Sequence, residues 1–220
     1  EHYLAIVDRY QPDLFIFENV PGILSAAPHG KKVSEIIPKE FSQKGYEITN
    51  KLKGAIVNAA DYNVPQNRKR VILVGIRRKS FEGIDIQKML DDFYMCILPS
   101  HKGKKIRTVK DAIGKLPPLA PYWDEEHHSK RQSHSVPNCD VTWHVPRYSN
   151  LRDMDTFKLL AEDLESGKNE YDSRKIAELY EQKVGSKSPI HRYHVLNPNE
   201  PSTTIIAHLH KDGNRFIHYD

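Results

Sequence analysis

The run Leu14-Phe15-Ile16-Phe17 constrains this chain more than any other stretch. It is too short for a helix, and it shows no polar alternation. It therefore reads as a strand in a sheet covered on both faces. Gln11-Pro12-Asp13 breaks the chain before it, and Val20-Pro21-Gly22 breaks the chain after it. Between run and break stand Glu18 and Asn19. In open parallel sheets, functional groups gather just past the carboxyl ends of strands, so Glu18 and Asn19 are the first candidates for chemistry. A half-buried carboxyl there would have a raised pKa and could donate a proton or a hydrogen bond near neutral pH. The plainer alternative is that Glu18 caps the following turn or pairs with a lysine.

The rest of the amino-terminal third fits an α/β domain. Residues 3–10 carry apolar side chains at helical spacing. Lys31 to Gly45 reads as a helix with Val33, Ile36, Ile37 and Phe41 on its apolar face and Pro38 as an interruption. The stretch 46–64 reads as strand, turn, strand. "RVILVGIRR" reads as a further buried strand. Beyond about residue 78 the texture changes, and many of the fourteen prolines fall in short, histidine-studded segments. An amphipathic helix is expected over 149–167, with Ser149 or Asn150 as its cap and Leu151, Met154, Leu160 and Leu164 along one side. A shorter helix is expected near "RKIAELYEQ". Lys211-Asp212-Gly213-Asn214 reads as a hairpin turn between two strands.

Several classes are excluded. The 220 residues contain no apolar run long enough to span a bilayer, and the first residues do not read as a secretory signal. Two distant cysteines, Cys96 and Cys139, make neither a disulfide framework nor a cysteine zinc site. A reducing, cytoplasmic setting fits. A net charge of +4 is compatible with a polyanionic partner but does not require one. The twelve histidines include His127, His128, His134 and His144 near Cys139, but without metal-ligand spacing, so no metal site is expected.

The second constellation is "NAADYNVPQNRKRVILVGIRR", Asn58 to Arg78. Pro65 and Gln66 fix the loop that enters a strand, and Arg68 and Arg70 are expected to point to opposite faces or to fan out at its start. Such an arginine pair can grip a phosphate or a base carbonyl through paired hydrogen bonds. A solvated basic loop is the alternative.

Together these two stretches resemble DNA (cytosine-5) methyltransferases. "FENVPG" is similar to that family's Glu-Asn-Val motif. "NAADYNVPQNRKRVILVG" is similar to its Asn-Ala-x-Asp-Tyr-Gly-Val-Pro-Gln-x-Arg-x-Arg motif, with Asn63 in place of the usual Gly. Asn also tolerates a left-handed backbone. "RTVKDAIGKLPPL" resembles the lead into the family's target-recognition domain. "EPSTTIIAHLHKDGNRFIHYD" resembles the end of that domain, with Thr204-Ile205 at its Thr-aliphatic pair. The resemblance implies catalysis by addition of a cysteine thiolate to carbon 6 of a flipped cytosine, followed by methyl transfer from S-adenosylmethionine to carbon 5. Glu18 would then hold ring nitrogen 3 and the exocyclic amine. Asn19 would help position the nucleophile loop, and Arg70 and Arg68 would contact the cytosine carbonyl or a flanking phosphate. Gln66, Thr204 and Ile205 would lie against DNA. Lys130 and Arg131, in "KRQSH", have side chains suited to phosphates or base edges, although a solvated loop is an even alternative.

The expected fold class is α/β: the second half of a Rossmann-like S-adenosylmethionine-dependent methyltransferase sheet, with a smaller, irregular, mostly β target-recognition domain. The expected division is a catalytic portion over 1–80, a connecting segment over 81–118 and a target-recognition domain over 119–220. The family's Pro-Cys loop and Gly-rich cofactor loop lie ahead of Glu-Asn-Val and have no counterpart here. Cys96 and Cys139 read instead as a core residue and a surface thiol. No cofactor-binding residue is assigned. The chain, which does not begin with Met, reads as a fragment that does not methylate alone. The intact protein is expected to be a monomeric, cytoplasmic, nucleoid-associated enzyme acting on duplex DNA, with a cognate restriction endonuclease system as partner. An RNA cytosine methyltransferase is one alternative. A non-catalytic DNA-binding module, or half of a split methylase, is another.

Overall fold

The computed structural model describes residues 2–187, 193–206 and 213–220, which belong to two compact units, Glu1–Ile106 and Arg107–Asp220. The stretch 81–118 is divided between them.

The first unit opens with helix α1 (His2–Tyr10), strand β1 (Leu14–Asn19) and helix α2 (Val33–Gln43). Strands β2 (Tyr46–Ile48), β3 (Ile56–Asn58) and β4 (Lys69–Arg77) follow. Helix α3 (Ile86–Asp92) then runs through a π-helical turn (Phe93–Ile97) into the short α4 (Leu98–Ser100). The strands at 46–58 and 69–77 and the helix with Pro38 inside it lie where the sequence puts them.

Strand β4 is the centre of the sheet. β1 pairs along one side of it, from Leu14 opposite Ile76 to Asn19 opposite Val71. β2 and β3 share the other side end to end, β2 against Gly75–Arg77 and β3 against Lys69–Val71. All these pairings are antiparallel. This corrects the expectation of a parallel sheet, because an apolar run encodes burial and not the direction of its partner. Between the footprints of β2 and β3, Ile72 and Val74 have no strand neighbour on that side among the described residues. The Tyr94 hydroxyl fills the gap: it accepts a hydrogen bond from the Val74 N–H at 2.9 Å and donates to the Ile72 carbonyl at 2.8 Å. Burial pushes the Tyr94 phenol up from its ordinary pKa.

One face of the sheet carries the core. Phe15, opposite Gly75, packs with Phe41 and Tyr46 in a ring cluster, together with Val71, Leu73 and Leu90. A Cβ on Gly75 would lie 2.1 Å from the Phe15 ring, so glycine here makes room for the aromatic side chain. The alternate residues of β1 do not match the expectation of a doubly covered strand. Leu14 is exposed, and Ile16 is 67% exposed. Among the described strands β1 has a neighbour on one side only.

The second unit contains α5 (Val109–Ile113), α6 (Glu125–Ser129), α7 (Leu151–Ser166) and α8 (Ser173–Val184). Thr108 and Asp111 form a capping box on α5, and Asp124 caps α6. The Asn150 side chain accepts from the Asp153 N–H to start α7, and Gly167 ends that helix in the left-handed conformation. Asp172 and Gly185 do the same for α8. Leu160, Tyr180, Tyr193 and Ile217 form the unit's main apolar cluster. Burial, with the hydrogen bond that its hydroxyl donates to Asp153, raises the Tyr193 pKa strongly.

A mostly β domain over 119–220 is not what the described residues form. Bridges occur at Pro121–His134 and Val195–Ile217, while the periodic stretches carry caps at both ends and fold as helices. Thr204 and Ile205 lie in irregular backbone and not in a strand. The hairpin turn expected at 211–214 begins outside the described residues.

Candidate active site

The antiparallel register brings the two sequence motifs together. Glu18 lies opposite Ile72, and Arg70 is two residues from Ile72 along β4. Side chains alternate along strands with a period of two, so Glu18 and Arg70 share a face and meet diagonally. Arg70 Nε stands 2.8 Å from Glu18 Oε1. A second guanidinium nitrogen of Arg70 donates to the Lys69 carbonyl at 2.8 Å. The Arg70 side chain is 19% exposed and that of Glu18 55% exposed. The carboxyl is thus open to solvent and not half-buried as expected, and its cation is held in place beneath it. The alternative of a lysine partner for Glu18 gives way to an arginine from the second motif.

Asn19 turns its side-chain oxygen back to accept the Val20 N–H at 2.9 Å, which leaves its amide N–H groups as donors at the end of the strand. Arg68 is placed through its backbone. Its N–H donates to Asn58 Oδ1 at 2.9 Å, and its carbonyl accepts from the Ala59 N–H at 3.0 Å. The Asn58 amide nitrogen also donates to Asn67 Oδ1 at 3.1 Å. Asn58 therefore ties both ends of the 58–68 loop, a role that sequence reading missed although this residue opens the motif. Asn63 takes the left-handed conformation, φ 63°, as its substitution for Gly implied. Gln66 donates its backbone N–H to the Val64 carbonyl at 2.7 Å, a tight turn about Pro65.

In the second unit, Lys130 pairs with Glu126 at 2.8 Å, one helical turn back. The Arg131 guanidinium lies over the Tyr148 ring, 5.5 Å from its centroid. Both residues are exposed. Thr204 is partly buried and Ile205 is exposed. The histidines serve local structure: the His127 ring stacks on Tyr122 and bonds Asp124, His128 bonds the Tyr122 carbonyl, and His144 bonds the Pro117 carbonyl. No group of three potential metal ligands occurs among the described residues. Cys96 is exposed, which corrects its reading as a core residue, and Cys139 is partly exposed.

In the first unit, a shallow hollow on α1 is lined by His2, Ala5, Ile6, Arg9 and Tyr10. It includes neither Glu18 nor Arg70. No residue of this chain is assigned to holding S-adenosylmethionine.

Residues 2–215 match the family model for C-5 cytosine-specific DNA methylases. The chain belongs to that family. Among curated methylases, it is 28% identical over 243 aligned positions to the type II methyltransferase M.Bpa9945I of Bacillus paralicheniformis. That alignment covers all of this chain and 51% of the relative. The chain is 35% identical to M.XorII of Xanthomonas oryzae pv. oryzae over 53% of its own length and 23% of the relative. A solved E. coli structure, assigned as a prophage-encoded DNA modification methyltransferase, aligns over 92% of this chain and 55% of its own with 26% identity and a TM-score of 0.45. The methylase chain thus spans about half the length of the first of these relatives. No helix among its described residues is long and apolar enough to cross a membrane.

Proposed function

We propose that this chain is the base-gripping and target-reading part of a DNA (cytosine-5) methyltransferase of a type II restriction-modification system. The intact cytoplasmic enzyme would transfer methyl from S-adenosylmethionine to carbon 5 of a flipped cytosine in duplex DNA. The observation that carries the reading is the solvent-open Glu18–Arg70 pair, which joins the two family motifs at 2.8 Å. Glu18 meets ring nitrogen 3 and the exocyclic amine of the extruded base, and Arg70 meets its carbonyl. Planar, paired recognition of this kind suits a carboxyl and a guanidinium. Asn19 donates its amide to the nucleophile loop, and Arg68 and Gln66 flank the base pocket. Lys130, Arg131, Thr204 and Ile205 contact DNA. Exposed ion pairs such as Lys130–Glu126 contribute only about 0–1 kcal/mol, so exchanging that partner for a phosphate costs little.

Neither cysteine of the chain stands in a Pro-Cys loop, so the 220 residues by themselves are expected to transfer no methyl group. In the intact enzyme, Glu18→Gln should lower transfer of labelled methyl to duplex DNA about a hundredfold or more, with the melting temperature unchanged. Unaltered turnover would remove Glu18 from the mechanism. Competition by excess tRNA as effective as that by duplex DNA would redirect the reading to RNA.

A further inference from the structure

The second unit holds a loop that its fold does not explain. Residues 134–148 leave and re-enter the unit at one buried side chain, Ser133. The Ser133 hydroxyl accepts from the Ser149 N–H at 3.2 Å and donates to the Arg147 carbonyl at 3.4 Å, while the Ser133 carbonyl accepts from the Tyr122 N–H at 2.9 Å. The feet are thus riveted, as in a compact Ω-loop. Farther along, the His144 ring bonds the Pro117 carbonyl at 2.7 Å, and a tight turn closes from the Val145 N–H to the Trp143 carbonyl at 2.8 Å.

What this anchored loop presents is apolar. Trp143 is 95% exposed, and Val136, Val141 and Val145 are exposed with it. Trp143 also sits at φ 62°, a left-handed conformation that a bulky side chain rarely adopts. A large ring that is strained in its backbone, wholly in solvent and held by bonds at its own carbonyl and at the next residue is a feature of binding surfaces. Arg131 and Arg147 stand exposed at the loop's feet, and Asp140 is its only acid.

We propose that this loop is a wedge for duplex DNA: the Trp143 ring stacks against an opened base step while Arg131 and Arg147 lie along the phosphates. Aromatic and aliphatic side chains enter base steps in this manner, and every base offers a face to stack on. The cations beside the apolar tip favour a polyanion over an apolar protein groove. This inference rests on the reading that the chain acts on DNA.

The protein's two tryptophans make the test direct. Trp123→Phe leaves Trp143 as the sole indole. Its emission is followed while a short mixed-sequence duplex, labelled with fluorescein, is bound and its anisotropy recorded. Binding is expected to quench Trp143. Trp143→Ala should weaken binding roughly tenfold or more with an unchanged circular dichroism spectrum. Trp143→Gly, which relaxes the left-handed backbone, should show the same loss and guards against misfolding of the alanine variant. Undiminished emission in a complex that anisotropy shows to have formed, or wild-type affinity in both variants, would overturn the wedge. Absence of any rise in anisotropy at low salt would overturn the DNA reading itself, and the wedge with it.

Discussion

Arg70 is held by two acceptors at once, Glu18 Oε1 and the Lys69 carbonyl, each at 2.8 Å. A guanidinium so fixed positions the carboxyl as much as it neutralises it. Arg70→Lys keeps the charge but not the fork. In the intact enzyme it is expected to reduce methyl-transfer turnover about tenfold or more, while thermal stability changes by about 1 kcal/mol or less because lysine keeps the charge and the Glu18 carboxyl is open to solvent. Turnover equal to wild type would show that charge alone suffices.

Tyr94→Phe removes one oxygen and strands two backbone groups in the middle of β4. Leaving a buried donor or acceptor unpaired costs about 1–3 kcal/mol. The first unit should unfold at a lower urea concentration by that margin, read as loss of the sheet signal in circular dichroism. An unshifted midpoint would mean that water replaces the hydroxyl.

Asn63 occupies a left-handed position in the second motif. Asn63→Ala should destabilise the first unit by about 1 kcal/mol, and Asn63→Gly should leave it at or near wild type. Thermal melts of the two variants decide the matter, and equal midpoints would contradict it.

His134 and His194 are both held below the ordinary histidine pKa, chiefly by burial, and further by His128 and Arg215 respectively. Their neutral forms are the ones that fit. Above the ordinary value of about 6.5, folded and unfolded chains are alike neutral and the stability is fully present. As pH falls through that value, the unfolded chain takes up protons that the folded one resists, and stability declines until pH passes below the folded pKa. The second unit should therefore denature more readily at pH 5 than at pH 7.5, and His134→Asn should flatten the slope. Both tryptophans, Trp123 and Trp143, lie in this unit, so their fluorescence reports the transition.

The chemistry of the site was more legible in the sequence than its scaffold. Glu18 and Arg70 stand out because each is a charged residue at the end of an apolar strand run, and Asn63 because few residues accept a positive φ. The amino-terminal cap of the long helix, Asn150, is an equally local signal. Sheet direction was not legible, since the run 14–17 would look the same against a parallel or an antiparallel neighbour. Nor was the burial of its alternate residues, because what covers a face lies elsewhere in the chain. The Tyr94 plug and the Asn58 brace are long-range hydrogen bonds with no periodic signature. The irregular backbone at Thr204 and Ile205 went unforeseen because β-branched residues favour strands without specifying a partner.

The unpartnered side of β1 bears on how this polypeptide must be handled. Beside the exposed Leu14 and Ile16 side chains that edge has no strand partner among the described residues, and although the Ile16 carbonyl accepts from the Tyr3 hydroxyl at 2.7 Å, the remaining edge is a template for intermolecular pairing. Concentrated preparations of these 220 residues should self-associate through that strand. A charged or proline substitution at Ile16 is then the natural solubilising change, two residues away from Glu18 and its pairing with Arg70.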